Sequence, residues 1–214
     1  MEMRILTRLV VMLLMATILN AVAQPGQLSD EPLVRALRAG GFTIYFRHAQ
    51  TQWSQSDHVR AEGDWLSCDP EEIRQLSAAG RETATAVGEA LRALRVPVGR
   101  VLASPYCRTV QTAKLLGVGP VETTTDVMNL RVAEYFGGTG AIVARARAQL
   151  ARTPAAGTNT VIVAHGNVAR EATPVYPGEA EGVVFRADGH GGFHVVAQIN
   201  PAEWARLATL FAAP

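Results

Sequence analysis

Residues 161–166 read Val-Ile-Val-Ala-His-Gly, and this stretch is the clearest sign of the fold class. Its four successive apolar residues predict a strand that is buried on both faces, as strands at the centre of a parallel sheet are. Two other short stretches, 42–46 and 101–104, are similarly rich in aromatic, β-branched or other apolar residues. The chain therefore carries three short strands typical of a buried sheet.

Helical segments alternate with these strands. The start and stop signals predict helices from Asp30 to Gly40, after the cap Ser77, from Pro105 to Gly117, after residue 138, and after the cap Asn200. Residues 183–186 and 193–198 flank Asp188-Gly189, which predicts a hairpin. Residues 50–75 and 118–138 show no clear period, so we expect two long loops. Together these features predict a single three-layer α/β domain, with a mostly parallel central sheet and helices on both faces.

The composition fits one globular domain and excludes several functions. The chain has 214 residues, of which 48% are apolar and 18% charged, so it can bury a sizeable core. Twenty basic residues against 19 acidic ones give a net charge of +1, which argues against a nucleic-acid-binding protein. Two cysteines are too few for a disulfide scaffold or a four-cysteine zinc site.

The N-terminus has the pattern of a secretory signal peptide. Arg4 and Arg8 precede the apolar run 9–19, and Ala21-Val22-Ala23 follows as a cleavage site. The apolar run is shorter than the roughly 20 residues that a membrane-spanning helix needs, although an uncleaved anchor is the alternative. We therefore expect residues 1–23 to be removed and residues 24–214 to form the domain. The mature protein would be periplasmic or secreted, without a membrane anchor.

Basic side chains, two arginines and two histidines, follow the three buried strands. Arg47 and His48 follow the first, Arg108 lies just beyond the second, and His165 follows the third. Ligands of open α/β sheets bind beyond the carboxyl ends of the strands, so these side chains should converge. The planar guanidinium group of arginine matches phosphate oxygens, and a helix that starts at Pro105 would add N–H donors. The pattern predicts a site for a phosphate monoester.

The motifs around these residues resemble the histidine phosphatase superfamily, also called phosphoglycerate-mutase-like. The resemblance rests on Arg47-His48-Ala49, Leu76-Ser77-Ala78-Ala79-Gly80, Ser104-Pro105-x-x-Arg108-Thr109 and Ala164-His165-Gly166, in that order. It implies that His48 is a nucleophile that forms a phosphohistidine. It also implies that Arg47, Arg108 and His165 bind the phosphoryl oxygens, and that neither a metal nor a cofactor is needed. The substrate would be a phosphorylated small molecule or surface component, and the alternative is a non-catalytic module that binds a phosphorylated ligand.

The general acid has two candidates. Mutase-like relatives carry a glutamate some two dozen residues after the second arginine, and Glu134 follows Arg108 by 26 residues. Glu179 is the alternative, because it precedes a strand that is expected near the pocket. Two departures from the family pattern also stand out. Ser54 occupies the place of an asparagine in many relatives, and Asn167 follows His165-Gly166 where the acid-phosphatase branch has an aspartate.

The two cysteines could pair in an exported protein. A Cys68–Cys107 disulfide would join the loop 50–75 to the phosphate motif, and the alternative is two free thiols. His190 and His194 are four residues apart, but the two intervening glycines make a helix unfavourable there. We therefore expect no metal site.

Overall fold

A computed structural model describes residues 27–212 of the chain. The predicted signal peptide lies outside these residues. The strands are β1 (Thr43–Arg47), β2 (Val98–Ala103), β3 (Val121–Thr123), β4 (Asn159–Ala164), β5 (Gly182–Ala187) and β6 (Phe193–Ile199). The helices are α1 (Asp30–Ala39), α2 (Ala78–Ala93), α3 (Cys107–Leu116), α4 (Thr139–Leu150), α5 (Gly166–Ala172) and α6 (Pro201–Phe211). None of the helices in this range has the length and apolar character needed to cross a membrane.

The strands of the described residues form one mostly parallel sheet, in the order β3-β2-β4-β1-β5-β6. Strand β4 lies between β2 and β1 and is parallel to both, with Val161 paired to Val101 and to Ile44. Strands β5 and β6 are antiparallel and form the predicted hairpin beside β1. The central position of β4 confirms the interpretation of its unbroken apolar sequence. It also brings the carboxyl ends of β1, β2 and β4 to one edge of the sheet.

Helices cover both faces of this sheet, so the three-layer architecture is confirmed. Alternate strand residues point to opposite faces, and Val161 belongs to one apolar cluster while Ile162 belongs to the other. The first cluster packs against α1, α2, α3 and α6, where Trp204 is its largest buried side chain. The second packs against α4 and α5 and includes Trp65 from the loop 50–75.

Some elements differ from the sequence-based expectations. The sequence predicts a loop over 118–138, but this segment contains the short edge strand β3 and the 3-10 turns Thr125–Val127 and Leu130–Phe136. Helix α5 was not predicted, and α3 begins at Cys107 rather than at Pro105. The loop 50–75 has no regular structure except the 3-10 turn Asp64–Leu66. These elements are short, so their sequences cover too few turns or alternations to show a period.

A disulfide between Cys68 and Cys107 ties the loop 50–75 to the start of α3. The two Cα atoms are 5.4 Å apart. This is the pairing that the sequence led us to expect. It connects the loop directly to the residue that precedes Arg108, so the loop is fixed beside the phosphate motif.

Candidate active site

The side chains of Arg47, His48, Arg108 and His165 come together in one pocket at the carboxyl edge of the sheet. The pocket has a volume of about 360 Å³. His48 and His165 are almost completely buried, and their ring centroids are 5.7 Å apart. Further lining residues come from the loops and from α5, and they are Trp53, Asp57, Arg74, Asn129, Arg131, Gly166, Asn167, Arg170 and Tyr176.

A hydrogen bond to the neighbouring backbone fixes the His48 ring. Its Nδ1 lies 2.9 Å from the carbonyl oxygen of Ala49, which can only accept, so Nδ1 carries the proton. The Nε2 atom therefore keeps its lone pair. Burial and then the positive charges of Arg108 and Arg47 lower the pKa of His48 to about 3. At neutral pH the ring is uncharged, which is the state that a nucleophile requires.

Asn129 and Ser104 hold the second histidine. The Asn129 Oδ1 accepts from the Arg131 backbone N–H and from the Asn167 amide, so its Nδ2 faces His165 Nδ1 at 3.1 Å. His165 Nδ1 must then accept, and Nε2 carries the proton toward Ser104 Oγ at 2.9 Å. Burial, together with the charge of Arg108, lowers the pKa of His165. Sequence reasoning missed Asn129, because a single asparagine in an aperiodic segment gives no signal.

The guanidinium group of Arg108 is buried and bound by a carboxylate that the sequence did not indicate. Nη1 and Nη2 of Arg108 donate to the two oxygens of Asp57 at 2.8 and 3.0 Å. Burial alone would raise the pKa of Asp57, but the hydrogen bonds and charge of Arg108 outweigh it and the pKa falls. The Arg108 Nε is buried and finds no hydrogen-bond partner among the described residues. A buried donor without a partner is costly and suits an anionic ligand.

Glu179 lies beside Arg47, whereas Glu134 lies apart from the pocket. The Glu179 Oε1 is 3.8 Å from Arg47 Nη2, and in the turn that carries Glu179 the Ala180 N–H donates to the His48 carbonyl. Ala180 has a φ of 56°, an uncommon conformation for a residue with a Cβ. Neither glutamate is among the residues that line the pocket, and Glu134 is exposed on the turn Leu130–Phe136. Ser54 is also exposed and outside the lining.

Arginines without a predicted role make the pocket strongly cationic. Arg74 stacks on the exposed ring of Trp53 at 4.6 Å, and burial and repulsion from Arg108 lower its pKa. Arg131 and Arg170 lie farther along the pocket wall. All of them come from aperiodic segments or from α5, so the sequence offered no pattern that could assign them.

Residues 27–212 contain no group of three His, Cys, Asp or Glu side chains placed to hold a metal ion. His190 and His194 lie in or beside the β5–β6 hairpin and do not line the active-site pocket. Guanidinium groups of arginine supply positive charge in the pocket. The site therefore combines an uncharged imidazole nitrogen with several guanidinium groups in one pocket.

Fold and site together define an α/β protein with a histidine at the centre of an arginine-rich anion pocket. The family model "Histidine phosphatase superfamily (branch 1)" matches residues 44–153, which is more than half of the chain. The chain belongs to this superfamily. The matched region includes Arg47, His48 and Arg108, and His165 lies beyond it. No curated protein matches the sequence.

Solved structures share the fold at low sequence identity. The protein histidine phosphatase SixA complexed with tungstate is 17% identical, with a TM-score of 0.54 over 75% of this chain and 97% of SixA. A histidine-to-alanine variant of phosphoserine phosphatase from Entamoeba histolytica, bound to phosphoserine, is 14% identical, with a TM-score of 0.51 over 76% and 98%. YhfR of Bacillus stearothermophilus is 17% identical, with a TM-score of 0.50 over 72% and 94%. At these identities the likeness establishes the fold.

Proposed function

We propose that this protein is an exported phosphomonoesterase that hydrolyses a phosphate ester through a phosphohistidine intermediate. One observation carries the proposal: His48 is buried and uncharged, its Nε2 keeps a lone pair, and Arg47 and Arg108 line the same pocket. Membership of the superfamily supports the same chemistry. The phosphatases among the structural neighbours fit this chemistry as well.

The reaction would proceed in two displacements at phosphorus. In the first, the lone pair of His48 Nε2 forms a bond to phosphorus while the ester P–O bond breaks, and the leaving oxygen takes a proton. In the second, water attacks phosphorus and passes a proton back to the group that protonated the leaving oxygen, the P–N bond breaks, and inorganic phosphate leaves with His48 restored. Arg47 and Arg108 would stabilise the charge on the equatorial oxygens during both steps, with His165 as a further donor once its Nε2–H turns from Ser104.

We assign the proton donor to Glu179 rather than Glu134. Glu179 contacts Arg47, and the turn 178–181 is hydrogen-bonded to the backbone of Arg47 and His48. Both glutamates are outside the pocket lining, but Glu134 is exposed and, among residues 27–212, forms no ion pair with an arginine of the pocket. Asp57 lines the pocket, but both of its oxygens accept from Arg108 and its pKa is lowered, which makes it a poor acid.

Export and metal independence belong to the same proposal. The signal-like sequence 1–23 would direct the chain out of the cytosol, and the Cys68–Cys107 disulfide is typical of oxidising compartments such as the periplasm. Guanidinium groups would supply the charge that a metal ion provides in other phosphatases, so neither metal nor cofactor is required. The substrate would be a phosphorylated small molecule or surface component.

Turnover of a generic aryl phosphate by purified mature protein tests the proposal. We expect His48→Ala to abolish turnover. His58→Ala is the matched control, because His58 is exposed and lies outside the pocket lining, and it should retain activity. Activity should survive EDTA. A His48→Ala variant as active as the wild type would refute the covalent mechanism, an inactive wild type would favour a binding module, and inactivation by EDTA would refute metal independence.

A further inference from the structure

The active-site pocket holds more positive charge than a phosphate monoester needs. Five arginines and the carboxylate of Asp57 line it, and from outside the lining Glu179 contacts Arg47 and Glu171 forms an exposed pair with Arg170. Glu179 carries no charge in the protonated form that the proposed mechanism requires, so a phosphate dianion would leave part of the positive charge uncompensated. Such a concentration of like charges is unfavourable unless a ligand offsets it. The lining arginines are Arg47, Arg74, Arg108, Arg131 and Arg170.

Two of these arginines belong to segments of the pocket wall that a hydrogen bond joins. Arg131 follows Asn129 by two residues, and Arg170 lies one helical turn after Asn167 on α5. The hydrogen bond from Asn167 Nδ2 to Asn129 Oδ1, at 2.9 Å, joins the two segments. Arg131 and Arg170 therefore reach the pocket from adjoining pieces of wall.

Neither guanidinium group is committed to a strong internal partner. Across residues 27–212, Arg131 forms no ion pair, and Arg170 pairs with Glu171, its immediate neighbour, in an exposed contact of 3.1 Å. Exposed pairs of this kind contribute little and are easily exchanged. Both groups are thus available to an anion that enters the pocket.

A shared aromatic ring connects Arg170 to Arg47 of the phosphoryl site. The guanidinium carbon of Arg47 lies 5.5 Å from the centroid of the exposed Tyr176 ring, and that of Arg170 lies 5.8 Å from it. Arg47 belongs to the proposed phosphoryl site, so Tyr176 lies between that site and Arg170 or beside both. A pocket of about 360 Å³ is also in the size range that takes a whole small molecule rather than a phosphate group alone.

We infer that Arg131 and Arg170 form a second anion subsite, so that the preferred substrate carries a carboxylate or a second phosphate on the half of the ester that leaves. Tyr176 would form the wall along which the leaving half lies. This inference rests on the proposed function and narrows its substrate class to doubly anionic phosphate esters.

The experiment compares two ligands whose P–C bond resists displacement. Phenylphosphonate and 4-carboxyphenylphosphonate differ only in the second anionic group, and calorimetry at fixed ionic strength gives both dissociation constants. For the wild type we expect the carboxylated ligand to bind about tenfold more tightly, as charge-assisted hydrogen bonds do. The Arg131→Ala/Arg170→Ala double variant should lose most of this preference. Arg152→Ala removes an exposed arginine outside the active-site pocket and should keep it.

Each outcome is decisive. Equal affinities in the wild type, or a preference that survives in the double variant, would overturn the subsite. An equal loss of preference in Arg152→Ala would mean general electrostatic attraction and would also overturn it. These results leave the proposed function standing, because it depends on turnover and on His48. Conversely, full activity of His48→Ala would refute the proposed mechanism without affecting a measured preference for the second anion.

Discussion

The orientation and proton position of the His48 ring are set by the backbone of the next residue, Ala49, rather than by a side chain distant in sequence. The Ala49 carbonyl fixes the proton on Nδ1, and burial among arginines keeps the ring uncharged. The same environment has a thermodynamic consequence. A histidine whose folded-state pKa is about 3 and whose ordinary value is 6.5 binds a proton more readily in the unfolded chain.

The stability of the protein should therefore fall on acidification. Between pH 6.5 and pH 3, His48 takes up a proton in the unfolded state but not in the folded state. The contribution of His48 to the free energy of unfolding is therefore fully present above pH 6.5 and is lost as the pH falls. Each fully titrating histidine contributes up to about 1.4 kcal/mol per pH unit. His165 acts in the same direction. Urea unfolding at pH 7, 6 and 5 gives the free energy of unfolding at each pH. This free energy should depend less steeply on pH in His48→Asn than in the wild type, and an equal pH dependence in both would contradict the low pKa of His48.

Asp57 binds the guanidinium group of Arg108, which an incoming phosphate would need under the proposed function. Replacing it with asparagine removes a competing negative charge, so Asp57→Asn should bind tungstate about tenfold more tightly. Without ligand the variant should be less stable by about 3 kcal/mol, because a buried guanidinium loses its counter-charge. Thermal unfolding with and without tungstate measures both effects. Glu62→Gln, an exposed change in the same loop, is the control. Unchanged or weaker tungstate binding in Asp57→Asn would contradict the competition.

The choice of proton donor predicts a dependence on the leaving group. Phenol leaves poorly without protonation, whereas 4-nitrophenol leaves readily. Glu179→Gln should therefore reduce kcat/KM for phenyl phosphate by about 10²-fold and affect 4-nitrophenyl phosphate much less. Glu134→Gln is the matched variant and should change neither. The opposite pattern would return the role to Glu134.

At the scale of elements, long or strongly patterned segments could be predicted and short ones could not. The apolar residues of strand β4 and helix α2 are numerous and regularly spaced enough to indicate a strand and a helix. Helix α6 has the cap Asn200, whose side chain accepts from Glu203 N–H. Strand β3 spans three residues and is mostly exposed, so neither alternation nor apolar content reveals it. Helix α5 covers seven residues directly after a strand. Tertiary contacts, rather than local sequence, determine these two elements.

The same limit applies to the site. These four side chains lie at strand ends or at the start of a helix, so the topology alone predicted that they converge: Arg47, His48, Arg108 and His165. Asp57, Asn129 and the subsite arginines depend on how the loops and the unpredicted helix α5 fold back over the sheet edge. Their positions follow from contacts such as the Asn129–Asn167 hydrogen bond, which couple residues far apart in sequence.

The disulfide is a covalent restraint on the loop that carries Asp57. Its cysteines are 39 residues apart, and closing a loop of that length in the unfolded chain stabilises the fold by roughly 4 kcal/mol in the chain-entropy description. The Cys68→Ser/Cys107→Ser double variant should therefore unfold at a clearly lower urea concentration than the oxidised wild type. Wild type reduced with dithiothreitol should match the double variant. Identical midpoints for oxidised and reduced protein would show that the bridge stabilises nothing.

At the scale of the whole molecule, the carboxyl edge of the sheet is both where the parallel strands end and where the arginines of the pocket lie. Three parallel strands end at the same edge of the sheet, and their loops concentrate arginines there although the chain is almost neutral. Buried, uncharged imidazoles lie at the centre of this positive field. The arrangement places a nucleophile where an anionic phosphoryl group would be drawn in and held, which is the central claim of the proposed function.

Trapping the covalent intermediate tests that claim most directly. Wild-type protein would be mixed with a radiolabelled phosphate ester, quenched within milliseconds in alkaline denaturant, and digested for mass spectrometry. A phosphoramidate survives base and is hydrolysed by acid, so the label should be stable at high pH and lost at low pH. We predict that the label resides on His48 and is absent from His48→Ala. Label on any other residue, or normal turnover by His48→Ala, would contradict the account.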